Sequence, residues 1–291
     1  MINRRLVRKK SVFLVMGKLF PAALLVLMAY LGSLAISTLC EALLTYMGGN
    51  LPDMETLLYS GIDEESMALF MASDNLMKLG LMLLLYGAVT FLLVTPLTFG
   101  TLRWYLSLAG DTPQSIGYAL SPYSSLKTYF SALWLYLYTA LRKLLWGIPI
   151  FIIPAAIIGA AVYFSGDEAY ALLSVLLLFI GMSVLFAAYA LFVIVTNRYF
   201  MTQYIYAKHD GIKVTEALSI SVKVMKPYIY NLLVLQLSLI PFVIIGQFVC
   251  AGALFILPFV NTCYAVYATE LMNKEAAQMP GDVTHVDYKI V

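Results

Sequence analysis

Apolar residues dominate six stretches of this chain, over about residues 19–44, 76–99, 144–164, 170–195, 228–248 and 252–272. A helix needs about 20 apolar residues to cross about 30 Å of hydrocarbon, so each stretch is of membrane-spanning length. The last two belong to one apolar length, Tyr228–Met272, too long for a single straight crossing. It fits two crossings joined near Gln247–Gly252, with one long broken helix as the alternative. The pattern predicts an all-α, polytopic transmembrane helical bundle of about six spans with interfacial amphipathic helices. A single integral domain would occupy residues 1–275, followed by a polar cytoplasmic tail at 276–291. Pro149, Pro154 and Pro241 fall inside spans and are expected to bend them. The run Thr95-Pro96-Leu97-Thr98-Phe99-Gly100 is expected to end the second span.

Charge is placed in the connections by sign. Arg4, Arg5, Arg8, Lys9, Lys10 and Lys18 precede the first span with no acidic residue among them. The first connection, about Gly48–Asp74, holds acidic residues only, as does the short turn at Asp167-Glu168. Residues 100–143 carry Arg103, Lys127, Arg142 and Lys143 against Asp111, and residues 196–226 are again mostly basic. The positive-inside rule then puts both termini on the cytoplasmic side of a multi-pass protein of the cytoplasmic membrane. The basic lead-in also resembles a signal peptide, with small residues at Ser33-Leu34-Ala35. An apolar run that continues through Leu39 favours an uncleaved first helix. Residues 100–143 are rich in Tyr and Trp, which points to a segment partly along the membrane surface.

Composition supports the same class. Of 291 residues, 62% are hydrophobic and 12% charged, with mean hydropathy +0.87. A soluble domain is about half apolar and about a quarter charged. Three cysteines at wide spacing and two histidines outside the spans form neither a disulfide framework nor a metal pattern.

Candidate chemistry is sparse. Thr215–Lys226 is amphipathic: Ala217, Leu218, Ser221, Val222 and Met225 share one face, and Glu216, Ser219, Lys223 and Lys226 the other. Thr215 is placed to cap it. Lys223 and Lys226 make it a candidate interfacial helix attracted to anionic lipid, the plainer alternative being a connector packed on the bundle. Ionisable and polar residues within spans are functional candidates: Glu41 and Lys78 as a pair at similar depth, and Asn231, Gln236 and Gln247 in the last two spans. Asn197-Arg198 reads as an interfacial anchor, and Asn261 as a further polar residue. A faint echo relates Ala119-Leu120-Ser121 and the Pro149 helix to Ala217-Leu218-Ser219 and the Pro241 helix. Chance similarity explains it as well as a parallel repeat does. No catalytic motif is present, and no catalytic, cofactor-binding or metal-binding residue is assigned.

Several segments together resemble a largely Gram-positive bacterial membrane family, domain of unknown function 975. They are Pro96-Leu97-Thr98-Phe99-Gly100 leading into Arg103–Leu108, Leu145-Trp146 with Ile148-Pro149, Ala217-Leu218-Ser219 with Ser221 and Met225-Lys226, and Leu257-Pro258-Phe259 before Tyr264–Tyr267. The resemblance implies a fold and no activity or site residue. Two functions stay open. The first is a non-enzymatic membrane component that packs with partner membrane proteins or lipid. The second is a small-molecule or lipid transporter with a cavity between the two proline-bent units, lined by Asn231, Gln236 or Gln247. The partners expected are the lipid bilayer and other membrane proteins, not nucleic acid, and no cofactor is expected.

Overall fold

The computed structural model describes residues 2–46, 73–110, 112–166, 168–209, 211–248 and 252–278. Among these every regular element is helical. The chain runs α1 (Arg4–Gly17), α2 (Leu19–Tyr46), α3 (Ser73–Ala109), a 310 helix (Ile116–Tyr123), α4 (Leu126–Phe164), α5 (Ala171–Thr196), α6 (Thr202–Lys208), α7 (Val214–Met225), α8 (Ile229–Phe248) and α9 (Gly252–Gln278). Six stretches are long and apolar enough to cross a membrane: Leu19–Leu43, Leu83–Ala109, Leu126–Phe164, Ala171–Lys208, Ile229–Gly246 and Gly252–Glu275. The acidic first connection, the turn between α8 and α9 and the C-terminal tail lie wholly or largely outside the described residues.

The basic lead-in folds as a helix of its own. The Asn3 side chain accepts hydrogen bonds from the Arg5 and Leu6 amides at 3.2 and 3.4 Å and so caps α1. Val7, Ser11 and Val15, spaced four apart, are buried on the face turned to α9, with Lys10 3.8 Å from Glu270. Leu6, Phe13 and Met16 are exposed, as are Arg5 and Lys9, so basic and apolar residues share the outer surface. That mixture suits a headgroup layer, where apolar side chains dip inward and basic ones meet lipid charge. The break at Lys18 lets α2 leave in a new direction.

Pro96 does not end the second span, contrary to expectation. A helical proline frees the carbonyl four residues back and crowds the turn before it. Here two tyrosines from the following segment meet that carbonyl, of Leu92, and its neighbour. The Tyr129 hydroxyl donates to the Leu92 carbonyl at 2.9 Å, and the Tyr123 hydroxyl donates to that of Leu93. The backbone is thus satisfied across the proline, and α3 continues to Ala109. The aromatic-rich stretch is correspondingly redistributed. Only residues 110–125 separate α3 from α4, and α4 starts at Leu126, well before the expected 144. Pro149, Pro154 and Pro241 likewise lie within continuous helices.

The 310 helix lies so close to α3 that a Cβ on Gly100 would sit 1.8 Å from the Ala119 carbonyl oxygen. Trp104, 2% exposed, locks the same junction by donating from Nε1 to the Gln114 carbonyl at 3.1 Å. The two segments sharing Ala-Leu-Ser differ in structure. Ala119–Ser121 is 310 helix and Ala217–Ser219 is α-helix, so the faint repeat has no common local fold.

Burial identifies the central helix. Half of the α9 span is buried within the protein, against 6–28% of the others. Cys263, Val266, Tyr267 and Leu271 are its inward side chains, and α1, α2, α3 and α8 pack around it. The last apolar length forms two helices side by side: Gly246 abuts Ile256, and the Phe242 and Phe259 rings are 5.8 Å apart, so α8 and α9 are antiparallel. Helices α4 and α5 make a second hairpin. It is held by close approach at Gly181, where an added Cβ would lie 2.7 Å from Ile158, and by Ser174 donating to the Ala161 carbonyl at 2.9 Å. Its outer faces expose Leu172, Val175, Phe179 and Phe186, as a lipid-facing surface requires.

Candidate functional site

The polar residues singled out in the spans do not meet in one place. Gln236 of α8 and Asn197 at the end of α5 form a closed amide pair. Asn197 Nδ2 donates to Gln236 Oε1 at 2.9 Å, and Gln236 Nε2 donates to Asn197 Oδ1 at 3.1 Å. Such a pair joins helices and leaves little capacity for a ligand. Arg198 beside it lies 4.9 Å over the Trp146 ring, whose Nε1 donates to the Tyr199 hydroxyl at 3.0 Å. Asn231 is buried at the cytoplasm-expected end of α8, where its Nδ2 donates to the Ile2 carbonyl at 3.4 Å. It lines a separate recess with Arg4, Arg5 and Arg8. Glu41 is exposed near the end of α2, and the side chains of Lys78 and Gln247 lie outside the described residues.

The amphipathic segment starts at Val214 with Lys213 as its cap residue, so Thr215 lies inside the first turn and does not cap it. Its apolar face, with Ala217, Leu218, Ser221 and Met225 buried, is covered by protein from α4, α6 and the turn at Asn197–Tyr199. Ser221 Oγ donates to the Arg198 carbonyl at 2.9 Å. Lys223 and Lys226 are exposed on the opposite side. The apolar stripe that would enter a bilayer is already occupied, which gives this helix the geometry of a packed connector.

A different set of residues does converge. Between α2, α3, α8 and α9 lies a cavity of about 680 Å3, within the range of about 300–1,000 Å3 common for small-molecule sites. Leu25, Val26, Ala29, Leu254 and Leu257 give it apolar walls, and exposed Tyr30 and Leu257 stand at its mouth on the span surface. Toward its inner end come Thr98, Thr101, Tyr105 and Asn261, of which Tyr105 is buried while Thr98 and Asn261 keep exposed surface. These same four residues also line a second cavity of about 260 Å3, completed by Tyr136, Lys143, Gln203 and Tyr264 among others. The two volumes therefore adjoin at these four residues, an apolar outer part beside a more polar inner part.

Helical spacing explains the convergence. Thr98, Thr101 and Tyr105 are three and four residues apart and share a face of α3. Tyr136 and Lys143, seven apart, share a face of α4, and Leu257, Asn261 and Tyr264 share one of α9. Phe200 closes the inner part, with its ring 5.2 Å from Tyr204 and 5.7 Å from Tyr264. The Tyr105 hydroxyl lies beside Asn261, and neither it nor the Tyr136 hydroxyl makes a hydrogen bond of normal geometry, although both are buried. Lys143 is partly buried and reaches the same space, and no carboxylate lines it among the described residues. Its neighbour Arg142 is exposed instead, and donates to the Tyr138 hydroxyl at 2.8 Å. Sequence reasoning passed over Lys143 because it sat in a presumed surface connection; the seven-residue spacing from Tyr136 was the available signal.

A family model described as "Protein of unknown function (DUF975)" matches residues 1–275, and the chain belongs to that family. No curated protein and no solved structure is matched.

Proposed function

We propose that this DUF975 chain is a non-enzymatic component of the cytoplasmic membrane that takes up an amphiphilic, lipid-like molecule from the bilayer. The observation that carries the proposal is the cavity of about 680 Å3 whose mouth lies on the apolar surface of the spans and whose inner end is polar. An amphiphile already dissolved in the bilayer enters such a space without crossing water, placing its chain on Leu25, Ala29 and Leu254 and its head near Tyr105 and Asn261. Lipid is thus the first partner, with other membrane proteins meeting the exposed faces of the α4–α5 hairpin. The absence of a catalytic motif from the sequence supports a binding role. Basic connections and an acidic first connection support cytoplasmic termini.

Transport fits less well. Gln236 is closed off by Asn197, and Asn231 faces the N-terminus, so the side chains expected along a polar path are engaged elsewhere.

The test is extraction of the full-length protein in mild detergent, followed by mass spectrometry of retained lipids. Wild type is expected to carry a defined amphiphile. Ala253→Trp, which fills the mouth, should reduce it several-fold while helical content and monodispersity stay unchanged. Equal retention by both proteins, or none by wild type, rules the cavity out as a binding site.

A further inference from the structure

Resting on that binding role, we infer that the amphiphile is a single-chain acid whose anionic head, carboxylate or phosphate, sits against Lys143. A lysine on a membrane-spanning helix is costly unless a partner or water meets its charge. Arg142 resolves this at the surface by meeting the Tyr138 hydroxyl and ring. Lys143 instead enters a cavity that, among the described residues, offers tyrosine, threonine, glutamine and asparagine side chains but no carboxylate. Every strong group there is a donor or can act as one: the ammonium, the Tyr105 and Tyr136 hydroxyls, and the amides of Gln203 and Asn261. The Tyr136 hydroxyl is buried without a hydrogen bond, and that of Tyr105 has only Asn261 beside it. A cluster of unspent donors around one cation is complementary to the oxygens of an acid and not to an ammonium or choline head.

Size and position select one chain. The inner volume of about 260 Å3 suits a compact head, and the adjoining 680 Å3 suits one acyl chain better than the pair on a phospholipid. Because Thr98, Thr101, Tyr105 and Asn261 line both volumes, head and chain can occupy them together.

The experiment measures equilibrium binding of three radiolabelled probes with the same chain to the purified full-length protein in dodecyl maltoside: oleate, oleoyl lysophosphatidic acid and oleyl alcohol. Wild type is expected to bind at least one acid about tenfold or more tightly than the alcohol, the size of one charge-assisted hydrogen bond. Preference for oleate alone identifies a carboxylate head, preference for the lysophosphatidic acid alone a phosphate, and either supports the inference. Lys143→Met should abolish the preference for acid over alcohol, with helical content and monodispersity as the check on folding, and Lys143→Arg should retain most of it. Equal binding of acids and alcohol by wild type, or a preference that survives in Lys143→Met, overturns the acidic head and leaves the cavity standing. Failure of all three probes to bind wild type overturns the cavity and the inference together.

Discussion

Single glycines set how closely these helices approach, and their surroundings separate the positions where glycine is required from those where it is not. Gly100 is required, because any Cβ there would collide with the backbone oxygen of Ala119, and backbone cannot swing aside as a side chain can. Gly159 on α4 has nothing within 4 Å of an added Cβ. Gly100→Ala should therefore destabilise the protein by about 1–3 kcal/mol or more, as overpacking does. Gly159→Ala should be neutral or stabilising by up to about 1 kcal/mol through helix propensity. Thermal unfolding of both variants in the same detergent checks this. Equal midpoints would mean that the 310 helix does not bear on α3 as described.

At the scale of elements, the continuity of α3 depends on its neighbours. Tyr129 supplies the donor that Pro96 removes from the Leu92 carbonyl, and Tyr123 donates to the neighbouring Leu93 carbonyl. Tyr129→Phe should cost about 1–3 kcal/mol, the penalty of an acceptor left unmade on a lipid-facing surface that water does not reach. In a Pro96→Ala background the residue 96 amide regains its bond to Leu92, so the same change should cost much less. A double-mutant cycle on thermal stability measures the difference, and an unchanged cost in both backgrounds refutes the pairing. This device also marks the boundary of what could be read from the chain. The apolar runs were legible because a bilayer leaves helices as the way to satisfy the backbone of such lengths. The end of α3 was not, because Pro96 is a stop signal unless residues about thirty positions later cover the exposed carbonyls. The polar cavity was hidden for the same kind of reason. Thr98, Tyr136 and Asn261 are unremarkable on their own helices, and it is the packing of α3, α4 and α9 that brings them to one space.

For the whole molecule, orientation is decided by many weak charges acting together. With a cysteine-free background, Lys223→Cys and Lys226→Cys should be shielded from a membrane-impermeant maleimide added to intact cells, and react after permeabilisation. Ser60→Cys in the acidic first connection should react from outside without permeabilisation. The reverse pattern would invert the topology and send α1 to the outer leaflet. With the expected pattern, Arg5 and Lys9 on the outer surface of α1 meet the cytoplasmic leaflet, where anionic lipid adds about 1 kcal/mol of attraction per basic residue.

The position of α9 bears on how the protein is made. The helix that α1, α2, α3 and α8 pack around follows them in the chain, and the N-terminal α1 lies against it. During synthesis α2 and α3 must enter the bilayer one after another with this shared partner still on the ribosome. Each has to persist as an independently inserted helix until α9 arrives, which accounts for how little of their apolar surface needs protein to cover it. Assembly is then a late, nearly single event: docking of the last helix hairpin creates the core and the walls of the cavity together.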